Sequence, residues 1–151
     1  GSHGVSFVDR WPELAGAPDL SLLRDAIAIL RDLGCEEAID LVWFGGVRSG
    51  TDAAKLVGLG AVAMVLGVSA GMAVGGQMEG DILSFSADLT ASERAAAMAN
   101  LITANTSEAS MMARCTGKTD LHNIEPEDLR ALTLATSEST GLPLAGKKET
   151  L

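Results

Sequence analysis

Leu20, Leu23, Ile27, Leu30 and Leu33 recur at helical spacing among charged positions, which predicts an amphipathic helix with these residues on its buried side. Asp19 stands before it as a capping residue and Gly34 after it as a stop. Ile39 to Phe44 is a short apolar run rich in β-formers, ending in Gly45-Gly46. Val62 to Leu66 is a second such run, closed by Gly67. Between them, residues 51–59 read as a helix. Asp52 lies in its first turn, where the helix dipole favours negative charge, and Gly60 ends it. Continuous apolar runs separated by a helix indicate parallel strands buried on both faces. Residues 39–67 are therefore predicted to fold as β-α-β.

Residues 4–18, with Pro12, Gly16 and Pro18, are expected to be irregular. Residues 76–89 read as a loop with a short strand at 82–85. Thr90-Ala91-Ser92-Glu93 is a capping box. It predicts a long helix to Cys115, with Gly117 as its stop and Met98, Leu101, Ile102, Ala109 and Met112 on its buried side. Pro126 suits a first helical position, followed by Glu127 and Asp128. With Leu129, Leu132 and Leu134 it predicts a helix ending at Gly141. The architecture expected is α/β: a partial barrel-like β-α-β core of two to three parallel strands, helix-rich overall.

Length changes this picture little. The 151 residues fit one domain, assigned to residues 4–145 with a polar tail at 146–151. Gly1-Ser2-His3 resembles a cloning remnant, and Gly4 is expected to continue a longer polypeptide. Apolar residues make up 47% and aromatics 3%, so backbones are expected to pack closely. The formal net charge of −9 argues against nucleic acid, whose phosphates call for clustered Lys and Arg, and against an anionic membrane surface. Leu56 to Met78 carries no charge and is long enough to span a bilayer. Glycines at 58, 60, 75 and 76 interrupt it, so a buried strand followed by a small-residue helix is the better reading. Cys35 and Cys115 make neither a CxxC nor a zinc spacing, which suits a reducing cytoplasm.

The candidate chemistry lies at the glycine-ended strands. Gly45, Gly46, Arg48, Ser49 and Gly50 follow the first strand and open a helix. Glycines let a phosphate approach backbone N–H groups, and the helix N-terminus adds positive potential. Arg48 offers a bidentate contact. Gly67 and Ser69 end the second strand in a similar nest. Two adjacent strand ends of this kind form the phosphate site of (β/α)8 barrels, although tight turns between buried strands explain the same glycines. His122 reads as a turn-shaping hydrogen-bonding group, and both cysteines as small buried residues. The acids at 36, 37, 125, 127 and 128 read as solvated helix ends. No metal-ligand cluster is present and no catalytic residue is assigned.

Larger stretches carry a more specific resemblance. The run Gly45-Gly46-Val47-Arg48-Ser49-Gly50-Thr51-Asp52, then residues 53–61, then Val65-Leu66-Gly67, resembles strands seven and eight of FMN-dependent barrels. The stretches 113–118 and 122–133, with Ser6-Phe7-Val8-Asp9 and Gly16-Ala17-Pro18, are similar to the carboxyl-terminal part of the glutamate synthase-like FMN domain, as in N-methylglutamate synthase large subunits. The resemblance covers nearly the whole chain but only about the last third of that domain. It implies a (β/α)8 barrel, FMN at the strand ends, and Gly45, Gly46, Arg48 and Gly67 near the FMN phosphate.

Three positions depart from the family pattern. Phe44 replaces an Asp or Ser, Val68 an Arg or Thr, and Val62 an Asp. Each change removes a polar group. The expected function is a degenerate FMN-domain segment, non-catalytic alone, serving as an interaction or structural domain of a larger multidomain protein. The alternative is an FMN-binding oxidoreductase domain of glutamate or N-methylglutamate synthesis. Two strands leave open edges, so a second copy or neighbouring domains of a parent protein are expected to cover them.

Overall fold

A computed structural model describes residues 19–80, 82–85 and 87–147. Residues 1–18, on which the expected tag remnant, irregular segment and first family-like stretches fall, and residues 148–151 of the expected polar tail lie outside the described residues.

The first helix, α1, spans Ser21–Asp32. Asp19 marks its start, its carboxylate accepting from the Ser21 amide at 3.0 Å. Gly34, at φ +65°, ends it. Leu23 is buried, but Leu33 is 71% exposed: the last turn projects past the core, so periodicity overcounted the buried stripe. Strand β1 (Val42–Phe44), helix α2 (Gly50–Gly58) and strand β2 (Ala63–Val65) follow. β1 and β2 pair in parallel, Val42 opposite Ala63 and Phe44 opposite Val65. The predicted β-α-β unit is present, with shorter strands.

Burial on both faces is not. Val42, Phe44 and Val65 are exposed, while Trp43 and Met64 pack into the core. Helices cover one face of this two-stranded sheet. The other face is only partly covered among the described residues, with Val42, Phe44 and Val65 58%, 38% and 40% exposed.

Helix α3 (Val68–Ala73) is short. Strands β3 (Gly76–Glu79) and β4 (Ile82–Phe85) form an antiparallel hairpin in a separate sheet. The strand expected at 82–85 is therefore real, but it adds no third parallel strand. Helix α4 spans Ala91–Cys115 behind the complete Thr90–Glu93 capping box. Its buried residues are Ala109 and Ala113, whereas Ile102 is half exposed. The small side chains let α4 press closely on α2 at Gly50, while Ile102 lies on the rim of the gap between α4 and α2.

The helix expected from Pro126 to Gly141 is split. Pro126–Asp128 forms one 3-10 turn, after which Leu129 is extended. The Thr133 hydroxyl caps a new helix, α5 (Leu134–Thr140), closed by left-handed Gly141. Between them the Ala131 amide donates to the Pro143 carbonyl, and the Ala145 amide to the Ala131 carbonyl. A tertiary bridge thus competes with helix continuation and wins. The main core gathers Leu23, Val47, Leu56, Leu59, Ala61, Ala131 and Leu142. A smaller cluster of Ala54, Ala113 and Ile124 joins it through Leu129. No described helix is long and apolar enough to cross a membrane.

Candidate functional site

The loop after β1 turns through Gly45 and Gly46, at φ +103° and +68°. Side chains rarely tolerate such angles, so the paired glycine is first a requirement of the turn. The turn aims Val47 into the core, where it is 3% exposed. The Ser69 hydroxyl, in the first turn of α3, donates to the Val47 carbonyl at 2.7 Å. The two predicted strand ends do come together.

Their polar groups, however, are largely spent on one another. Ser49 caps α2, its hydroxyl accepting from the Asp52 amide. Arg48 donates through Nε to Asp52 at 3.0 Å, with its own side chain 82% exposed. Gly67 is the cap residue of α3, a helix too short to offer an anion site of its own.

Gly50 holds the decisive contact. Its amide donates to the Glu108 carboxylate at 2.9 Å, and the Thr51 hydroxyl donates to the other oxygen of the same carboxylate. A β-carbon on Gly50 would overlap the Asn105 carbonyl oxygen and lie 2.5 Å from the Ala109 amide nitrogen. Gly50 is thus where α2 begins against the backbone of α4, and a protein carboxylate sits where the helix dipole attracts an anion. Glu108 was not foreseen from the sequence. Its one available signal was an acid set among small residues on a helix face, and its partners lie 57 and 58 residues away.

These contacts set the charges. The Thr51 hydrogen bond, against some desolvation and with help from the Gly50 amide, holds the Glu108 carboxyl below its usual value. Burial pushes the Asp52 carboxyl up, but hydrogen bonds and charge from Arg48, with Lys55, outweigh it and leave the group lowered. Hydrogen bonding to Asp52 raises Arg48 further above its already high value.

Arg48, Ser49, Gly50 and Ser69 all use their donors or acceptors internally, and Glu108 brings negative charge to the helix start. That carboxylate opposes a second anion at the Gly50 amide. Phe44 and Val68 supply no polar side chain in compensation.

The remaining candidates are structural. His122 Nε2 lies 3.0 Å from the Val62 carbonyl and so ties the 3-10 turn Leu121–Asn123 to the start of β2. Cys35 is half-buried and Cys115 exposed, which corrects the expectation that both are buried. Lys118 pairs with Glu125 and Asp128 at 3.5 and 3.6 Å. Among the described residues no group of His, Cys, Asp or Glu could hold a metal ion.

Neither a family model nor a solved structure matches this chain. A curated protein of Rhizobium meliloti (strain 1021), described as a glutamate synthase large subunit-like protein, is 34% identical across 91% of the chain. The resemblance to the glutamate synthase-like family is thereby shown. The chain spans 38% of that relative's length. The glutamate synthase-like stretch includes the strand ends, α4 and the 3-10 turns, so Glu108 and Gly50 both fall within it.

Proposed function

We propose that this glutamate synthase-like segment is a structural, interaction-bearing part of a longer protein and has no working flavin phosphate site of its own. The observation that carries this reading is the Glu108 carboxylate on the Gly50 amide and Thr51 hydroxyl. An internal anion takes the place a phosphate would need. The exposed Val42, Phe44 and Val65 side chains support the interaction role. They form an apolar face beside two open strand edges, which adjoining strands of a parent barrel or a second copy would cover. Titration with FMN, followed by flavin fluorescence, tests the proposal: no quenching is expected up to millimolar FMN, and saturable quenching sinks it.

A second reading keeps FMN. Gly45 and Gly46 hold the sharp turn that barrel phosphate loops use, and Ser69 brings the two strand ends together. On this reading the chain is the phosphate-binding part of an FMN oxidoreductase of glutamate-type synthesis, with Glu108 displaced when cofactor enters. Glu108→Ala separates the two: FMN binding by the parent chain that tightens in the variant supports the second, whereas binding by the variant alone shows Glu108 blocking the site, as the first reading holds.

A further inference from the structure

Helix α1 carries two apolar stripes, and the core uses one of them. Leu20, Leu23 and Ile27 pack into the main core. Leu22, Ala26, Ile29 and Leu33 follow a second line, at spacings of 4, 3 and 4 residues. That is the repeat by which one helix seats against another. Leu22, Ile29 and Leu33 are 62%, 58% and 71% exposed. Large apolar side chains so exposed along one helix make an unpartnered face.

A cavity of about 360 Å³ opens beside the same helix. Ile27 and Leu30 of α1 line it together with Ile39, Leu41 and Val62. Leu30 is one turn from both Ala26 and Leu33, so the stripe and the cavity meet on α1. Acids border them. Asp25 and Asp32, seven residues apart, run along the outer flank of the stripe, and Glu36, Glu37 and Asp40 line the cavity. Arg31 engages Glu36 at 2.7 Å. Asp25, Asp32, Glu37 and Asp40 are exposed and enter no ion pair among the described residues. Arg24 lies two positions from both Leu22 and Ala26, so it projects from another side of the helix.

Charge selects the occupant. Carboxylates oppose an anionic membrane surface and a nucleic acid. An antiparallel second copy would set its Asp25 and Asp32 against these same acids, on a chain whose formal net charge is already −9. A helix with Lys or Arg beside its apolar stripe instead meets carboxylate with cation along the flank. A long basic side chain lays its stem on Ile39 and Leu41 and its head among Glu37 and Asp40. We propose that α1 docks a basic amphipathic helix of a partner protein, apolar stripe on apolar stripe, with its cations on Asp25, Asp32 and the cavity acids. This deepens the interaction role proposed above and concerns a surface apart from the strand-end glycines.

The probe is a hydrocarbon-stapled helical peptide of about 14 residues, with leucines at the spacing of the α1 stripe and lysines flanking them. Its control carries glutamates in place of the lysines. Calorimetric titration of the full chain should show saturable micromolar binding of the lysine peptide, with the glutamate peptide at least about tenfold weaker. Ile29→Ser with Leu33→Ser should weaken the lysine peptide about tenfold or more and leave the Tm nearly unchanged, since both side chains are exposed. Asp25→Lys with Asp32→Lys should turn the preference towards the glutamate peptide. Glu127→Lys, outside the surface, and Phe44→Lys, on the open sheet face, should leave the affinity within about twofold. No saturable binding of the lysine peptide up to about one millimolar overturns the proposal. So does unchanged affinity after the serine substitutions, or unchanged preference after the charge reversal. A concentration-dependent mass that Ile29→Ser with Leu33→Ser abolishes overturns it in favour of a second copy. An unbound lysine peptide alongside a dimer that depends on Phe44 sinks this proposal and leaves the interaction role standing.

Discussion

The Gly50 amide donates to the Glu108 carboxylate at 2.9 Å, across 58 residues of sequence. The contact joins the first residue of α2 to the C-terminal half of α4. It needs both partners for different reasons: Gly50 because no side chain fits beneath α4, Glu108 because the helix start attracts negative charge.

Gly50→Ala tests the steric half. In an exposed helix the change would gain up to about 1 kcal/mol in propensity. Here the new methyl meets backbone atoms of α4, which cannot rotate aside. Overlap should win, with a net loss of about 1–3 kcal/mol, read as a lower denaturation midpoint at constant m-value. A stabilised variant would refute the close packing.

Acid should weaken the electrostatic half. The Glu108 and Asp52 carboxyls are held below their ordinary values. Their stabilisation is complete above the unfolded values, about 4.3 and 3.9, and is lost as pH falls through the lower folded values. Melting curves between neutral pH and pH 3 should show a Tm falling mainly below pH 4.5. Glu108→Gln should lower the neutral Tm and flatten that fall. An equally steep fall in the variant would assign the acid sensitivity elsewhere.

Leu59→Ala probes the main core. Leu59 is 2% exposed and sits where α1, α2 and the 131–142 segment converge. Truncation should cost about 2–5 kcal/mol, measurable by urea unfolding. A cost below about 1 kcal/mol would mean that this cluster is not the stabilising centre.

Phe44→Lys probes the open face. Phe44 is 38% exposed beside Val42 and Val65, so the change removes apolar surface without opening a cavity. If this face mates with a second copy, light scattering should show a concentration-dependent mass that the variant abolishes, with little change in Tm. A monomer at all concentrations, with or without the substitution, would leave covering strands of a parent protein as its partner.

The sequence by itself determined the elements whose signals are local. The capping box at Thr90 and Glu93 set the start of α4, and Gly34, Gly60 and Gly141 set the ends of helices, because caps and left-handed turns depend on a few neighbouring residues. The β-α-β order and the resemblance to glutamate synthase-like proteins were legible for the same reason: both are written in consecutive residues.

Only the tertiary structure decided the rest. The break in the helix after Pro126 follows from the bridge between Ala131 and the 143–145 strand-like segment. The exposure of Val42 and Phe44 beside the buried Trp43 side is likewise set by packing among the described residues. The strand-end glycines looked like a phosphate nest in sequence, and the fold sets the two strand ends side by side, with Ser69 bonded to Val47. The partner of the Gly50 amide is Glu108, a residue 58 positions away on another helix, and long-range pairing of that kind leaves no periodicity or spacing to read.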